Sequence, residues 1–459
     1  MITTGEIRPE IYVEKSSAYL QTRSTRATRA YYYAFLLALI ICLSPSKALA
    51  YLSPIVVLIW LIIATRKKTI LNRSVLLLFL ALIWIGLWQI FNREFLLHSA
   101  LLEIITYSSF VVLAATPLKL LKNPFLGERV EQIVRWTVLI QAITGFVQAF
   151  AGYFRSGSFD LNNGDAVAGT ITLSLFPDGG LGNPMFAINM GFLLLFLLPS
   201  VILKRQGWLV LAFGALTLVL ASVMHVLIFL AISVGVAFII YRPALPTRVS
   251  TVLLFGMLSL ILATSSYVLS TNWSTFSTFY TGFINGQSPR AQIYKAAFGD
   301  MITEYPLIVS IGLGPGQFSS RAGAIGTGYY FGGPRNPRPL PLLPTEMSPA
   351  MQKYMWNLWL ASTYGSTNQP FSSWLAIYTE FGIFCFLLIC IAITVFLLKL
   401  LVLAKSKSQK WLAFVCGSSI LFLFLLGFQD NYWEVPQAIL VGVMLIQIMY
   451  ARMYTLNQS

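Results

Sequence analysis

The segment "SPRAQIYKAAFGDMITEYPLIVSIGLGPGQFSS", Ser288 to Ser320, closes on a run of spaced glycines, Gly312, Gly314 and Gly316, with basic residues close by. Small residues let backbone N–H groups come close to an anion. The run therefore raises the question of a phosphate. The answer depends on where the segment sits relative to the apolar stretches on either side of it.

Those stretches dominate the chain. Apolar residues make up 57% and charged residues 10%, with a mean hydropathy of +0.74, whereas a soluble domain is about one quarter charged. The composition is that of a bilayer protein. The formal charge of +15 reads as topology and not as affinity for nucleic acid, because membrane proteins keep Lys and Arg in their cytoplasmic connections. The cysteines, Cys42, Cys385, Cys390 and Cys416, all fall in apolar runs and offer no disulfide framework or metal motif. With His98 and His225 the sole histidines, and no carboxylate cluster at ligand spacing, no metal site is expected.

A spanning helix needs roughly twenty apolar residues, and such runs lie near 31 to 47, 48 to 65, 74 to 91, 98 to 115, 130 to 153, 184 to 203, 207 to 222, 224 to 241, 249 to 269, 371 to 400, 411 to 429 and 432 to 451. The expected fold is an all-α polytopic integral membrane protein of about twelve spans. Basic residues mark the N-terminal tail (Arg23, Arg26, Arg29) and alternate connections: "RKK" at 66 to 68, Lys119 with Lys122, "KR" at 204 to 205, Arg242 with Arg248, and "KSKSQK" at 405 to 410. Both termini are then cytoplasmic. The "ALA" at 48 to 50 imitates a signal-peptidase site, but removing the first span would spoil the alternation of charge.

This topology divides the chain into a cytoplasmic basic tail at 1 to 30, nine spans at 31 to 269 with an outer loop at 154 to 183, a large outer loop at 270 to 370, and three spans with a short C-terminus at 371 to 459. The large loop is too long for a connector. Within it, Ile293, Ala296, Ala297 and Met301 recur at helical spacing, which predicts a short amphipathic helix near the membrane surface. The "GGPRNPRPLPLLP" that follows the glycine run should be extended or irregular.

Placed on the outer face, the glycines stand away from cytoplasmic nucleotide, and they lack the G-K-[ST] ending of a P-loop and the βαβ unit of a Rossmann site. A tight turn ending a surface helix is the alternative reading. Arg290, just before the amphipathic helix, is the stronger candidate for phosphate, since a guanidinium pairs bidentately with phosphate oxygens; Arg321, Arg335 and Arg338 follow in the same loop, with Lys295 on the helix. Ionisable groups within spans are functional candidates by default. Glu380 and Glu103 lie inside helices, and His98, His225, Asp430 and Glu434 gather by topology at outer helix ends.

The order "SPR", short helix, "EYPLIVSIGLGPGQF", long loop, then "QPFSSWLAIYTEFGI" entering a helix resembles the O-antigen ligase and Wzy-type polymerase family. Its members show a small residue and Arg, a helix, "P-L-x-G-x-G-x-G-x-F", and later "P-H-N-x-Y-L-x-x-L-x-E-x-G". "GGLGNPMFAINMGFLLLF" at 179 to 196 is similar to the family's "G-x-F-x-N-P-N-x-F-A". The resemblance covers most of the chain beyond about residue 130. It implies a metal-independent, cofactor-free glycosyltransferase on the outer face of a bacterial inner membrane, taking a glycan from a polyprenyl diphosphate whose leaving group is held by arginines. Arg290 would be the loop arginine, Gly312, Gly314, Gly316 and Phe318 the glycine segment, Glu380 and Gly382 the end of the helix-entry motif, and Asn183 the start of the earlier one.

Two departures bear on the reading. Phe371 and Ser372 stand where the ligases carry His-Asn, and Met224 and His225 stand where the family often has Ser-Arg, so His225 takes the place of a diphosphate contact. Losing the histidine favours polymerisation of repeat units over ligation of a finished glycan. A chain-length regulator and export machinery are the implied partners beside the lipid-linked glycan and the bilayer. A transporter or flippase is the competing class, but no inverted repeat or broken midplane helix is evident.

Overall fold

The computed structural model describes residues 9–157, 167–176, 182–204, 206–243, 273–331, 337–341, 343–361 and 370–456, with isolated positions between 256 and 270. Among the described residues every regular element is helical. In chain order they are α1 (Pro9–Cys42), α2 (Lys47–Thr65), α3 (Lys68–Phe91), α4 (Leu97–Thr106), α5 (Ser108–Ala115), α6 (Pro124–Ser156), α7 (Gly182–Lys204), α8 (Trp208–Leu220) and α9 (Met224–Tyr241). Then come α10 (Trp273–Ile284), α11 (Pro289–Phe298), α12 (Asp300–Glu304), α13 (Leu307–Ser310), α14 (Arg321–Gly326), α15 (Pro349–Tyr354), α16 (Trp356–Ala361), α17 (Ser373–Leu403), α18 (Lys407–Gln429) and α19 (Pro436–Leu456).

Eight of these, α2, α3, α6, α7, α9, α17, α18 and α19, are each long and apolar enough to cross a membrane, and a helix satisfies every backbone polar group internally where no water is present. Helices α4 and α5 together would make a ninth span, bent by 52° at their junction. This is fewer than the twelve expected. The run at 207 to 222 forms only the 13-residue α8, the run at 31 to 47 is the second half of the longer α1, and the run at 249 to 269 is outside the described residues except at isolated positions.

Hydropathy does not separate central helices from lipid-facing ones, since both are apolar all round. Burial does: α7, α18 and α19 are mostly enclosed, while α3 and the second half of α17 are largely exposed. Buried amides tie the centre together. Asn189 Nδ2 donates to the Gln437 carbonyl at 2.7 Å, and Gln447 accepts from the Tyr31 hydroxyl at 2.7 Å while donating to the Leu113 carbonyl at 2.9 Å. Such bonds between spanning helices contribute about 1 kcal/mol each.

The segment from α10 to α16 folds into a cap at one end of the bundle. Ser288 starts α11 as its N-cap, accepting the Ala291 N–H at 3.2 Å, with Pro289 in the first turn. Ile293, Ala296, Ala297 and Met301 are all buried. One detail differs from expectation: Gly299 divides the segment into α11 and α12, whose apolar residues pack with Ile308, Phe318, Met351, Phe371 and Leu375 in a protein core of their own.

Candidate functional site

The cap is joined to the bundle where α17 is broken. Gly382 sits inside this helix at φ 78°, ψ 177°, a conformation that L-residues avoid. A break there leaves carbonyls in the preceding turn without their helical donors, and the glycine run supplies replacements. Leu313 N–H donates to the Thr379 carbonyl at 2.7 Å, and Gly314 N–H to the Glu380 carbonyl at 3.0 Å. The two backbones cross so closely that a Cβ on Gly312 (φ 85°) would stand 2.2 Å from the Glu380 carbonyl carbon, and one on Gly382 would stand 2.2 Å from the Ser310 oxygen.

The Glu380 carboxylate completes the junction. It accepts the N–H groups of Gly316 at 2.6 Å and of Phe318 and Ser320 at 2.9 Å each, and the side chain is fully buried. The run is an anion nest, as its glycines suggested, but the anion is the protein's own. Gly312 N–H donates to the Leu307 carbonyl at 3.0 Å, so Gly312, Gly314 and Gly316 all have protein acceptors and present no N–H to a substrate phosphate. Glu380 is likewise engaged as the anchor of the loop and not displayed as a base.

Arg321, a candidate phosphate contact in the sequence, is engaged by the protein itself. It is 4% exposed, and its Nη2 pairs with Asp430 Oδ2 at 3.0 Å; Nε donates to the Asn431 carbonyl at 3.1 Å, and Nη1 donates to the Tyr330 hydroxyl. Its backbone N–H donates to Glu434 Oε2 at 2.5 Å. Burial opposes its charge, but Asp430, Tyr330, Tyr51 and Glu434 outweigh that and hold the guanidinium well above its ordinary range. Glu434, in the turn between α18 and α19, is pushed well above the usual carboxylate range by burial first and by the Glu380 charge second, against the pull of Arg321.

Arg290 stands at a junction of several elements. Its Nη2 donates to the Gln429 carbonyl at 2.6 Å, at the C-terminal end of α18, and lies 3.4 Å from the Phe371 carbonyl; a cation is favoured at that end of a helix. Burial lowers its pKa from the ordinary value, while Asp430, Tyr294 and Tyr432 support the charge. Beside it, the Tyr294 hydroxyl and Ser372 Oγ share a hydrogen bond of 3.0 Å, and His225 Nε2 and the Tyr432 hydroxyl share one of 2.9 Å, their rings stacked at 5.9 Å. His225 is also within electrostatic range of Arg290. Arg290, His225 and Ser372, far apart in sequence, thus come together where α9, α11, α17 and α18 meet.

The remaining expected residues are not part of this arrangement. Arg338 is exposed on the cap, Arg335 lies outside the described residues, and Asn183 falls in the first turn of α7 with its side chain outside them. Sequence reasoning missed Tyr294, Tyr432 and Tyr330. Tyr294 carries a signal in hindsight, four residues after Arg290 and so on the same helical face; Tyr432 and Tyr330 carry none. No family model, curated protein or solved structure matches the chain.

Proposed function

We propose that the chain is a membrane glycosyltransferase that polymerises polyprenyl-diphosphate-linked oligosaccharide repeat units into a surface or exported polysaccharide. The observation that carries this reading is the gathering of half-buried Arg290 with His225, Tyr294, Tyr432 and Ser372 under a cap of short helices at one end of an apolar bundle. A substrate whose tail stays in the bilayer would bring its diphosphate to that depth. Breaking the sugar–phosphate bond develops negative charge on the leaving group, and a preorganised cation in a dry site stabilises that charge.

In this reading Arg290 holds the diphosphate, His225 and the neighbouring hydroxyls orient it, and Glu380 with the glycine run fixes the cap that closes the site. The chemistry requires no metal or redox cofactor. The cap faces the outside of a bacterial inner membrane and both termini face the cytoplasm, following the distribution of basic residues in the sequence. Phe371 and Ser372 at the entrance of α17, where ligases of the resembled family carry His-Asn, favour polymerisation over transfer to a lipid or protein acceptor.

The test is incubation of the purified protein with defined polyprenyl-diphosphate oligosaccharides and sizing of the products. A ladder of repeat units supports polymerisation. A single transfer to an added acceptor lipid supports a ligase, and an intact donor at every time point removes the enzyme reading in favour of a transporter.

A further inference from the structure

Behind the cap junction lies a group of buried carboxyls that the proposed reaction does not use. Glu103, on α4, is 3% exposed, and neither of its carboxyl oxygens has a hydrogen-bond partner among the described residues. The hydroxyls of Ser320 and Thr106 are close enough to favour its charged form, but Thr106 gives its proton to the Glu103 backbone carbonyl, and the Ser320 oxygen accepts the Gly323 N–H at 3.1 Å. Glu434, on the turn before α19, and Glu380, on α17, lie within electrostatic range. Glu434 Oε1 and the Tyr107 hydroxyl are also buried without a partner among the described residues.

Charge accounting around this group leaves one carboxyl over. Glu380 is compensated by three N–H donors, and Asp430 by Arg321, with Arg290 within electrostatic range. Glu434 takes the Arg321 N–H on one oxygen, and Tyr51 on α2 lies within range of Glu434. Lys47, at the start of α2, is near Arg321, and His98, at the start of α4, faces Glu346 and Gly326. Among the described residues none of these cations is bonded to Glu103. An ionised carboxylate buried in this way is costly by several kcal/mol, and it binds a proton instead.

A metal ion is the other ligand that could satisfy such oxygens, but no group of three His, Cys, Asp or Glu among the described residues is arranged to hold one. The surroundings are also dry on one side. Tyr107 and Trp433 line an apolar cavity of about 690 Å³ between α5, α17, α18 and α19, with Phe110, Phe396 and Phe424 along its walls.

We propose that Glu103 and Glu434 form a proton-binding pair that holds one proton between them, seated on Glu103, with the Tyr107 hydroxyl placed between the pair and the apolar cavity. Two carboxyls sharing a buried site cannot both ionise, and they release their protons as a coupled unit. The inference stands apart from the glycosyltransferase reading, because it concerns what the resting protein binds.

The full chain in detergent is treated with dicyclohexylcarbodiimide, an apolar reagent that modifies protonated carboxyls and can enter through the cavity, and the modified residue is located by peptide mass spectrometry. The expected result is modification of Glu103 that falls off as pH rises, with the fall-off moved to lower pH in Glu434→Gln, since a neutral neighbour no longer opposes ionisation of Glu103. In parallel, infrared spectra of wild type and Glu103→Gln should differ by loss of a carboxylic-acid C=O band. Either signal supports the pair. Absence of both overturns it, as does modification that added sodium abolishes at every pH, which would make the ligand a metal cation.

Discussion

Glu380 accepts the backbone N–H of Gly316 at 2.6 Å, sixty-four residues away in sequence, and in doing so fastens the cap to the broken helix α17. The same carboxylate takes the N–H groups of Phe318 and Ser320. A single side chain thereby holds three otherwise orphaned donors in a buried loop.

Replacing Glu380 therefore tests an anchor against a base. Glu380→Gln keeps one acceptor oxygen and turns an NH₂ toward backbone donors, which should cost about 1–3 kcal/mol. Glu380→Ala leaves all three donors unsatisfied and should cost more. Thermal unfolding in detergent is expected to rank wild type above Gln above Ala, with activity following stability. Full stability with no turnover in the Gln variant would instead make Glu380 a chemical participant.

The crossing of backbones at Gly312 and Gly382 allows no side chain. Alanine at either position meets backbone atoms at 2.2 Å and takes a positive φ that by itself costs about 1–3 kcal/mol. Both variants should show lowered melting temperatures and faster proteolysis within the cap, while Gly235→Ala, which meets nothing within 4 Å, should melt like wild type.

Arg290 is where turnover should be most sensitive. Arg290→Ala is expected to reduce product formation about a hundredfold or more, the effect of removing one preorganised donor to a developing anion, with Arg290→Lys retaining part because it keeps the charge but not the fork. Product sizing at matched expression reads this. Chain lengths near wild type in Arg290→Ala would remove the arginine from the chemistry.

The Arg321–Asp430 pair should behave as a unit. Asp430→Ala leaves a buried guanidinium without its carboxylate and is expected to destabilise by about 3–5 kcal/mol. Replacing both partners with apolar residues should cost less than the sum of the single changes, and a double-mutant cycle on thermal unfolding measures the difference.

On the cap surface, the Glu304 carboxylate is bonded by Lys353 and by Tyr354, and these two bonds, Lys353 first, hold it below the usual carboxylate range. A depressed folded value means that its stabilisation is fully present above the ordinary carboxylate pKa and is lost as pH falls through the depressed one. Because the pair is exposed, the effect should be small and weakened by salt. Unfolding profiles of wild type and Glu304→Gln should converge at low pH.

Much of the fold was legible in one dimension. Apolar runs of about twenty residues have few alternatives to spanning a bilayer, so eight of the expected runs emerged as helices long and apolar enough to cross one, and Ile293, Ala296, Ala297 and Met301 are buried as their spacing suggested. The partners of the buried groups were not legible. Arg290 was visible as a basic residue before a helix, yet its neighbours His225, Ser372 and Tyr432 arrive from three other parts of the chain.

By itself, then, the sequence determined an all-helical chain of apolar runs, with spaced glycines and an arginine in a segment between them. Tertiary structure decided what those glycines are for. Whether backbone N–H groups in such a run meet a substrate or the protein depends on which acceptor is brought within about 3 Å, and only the break at Gly382 brings α17 there. Glu380 fills the nest from within, and Arg290 is held instead by the carbonyl at the end of α18.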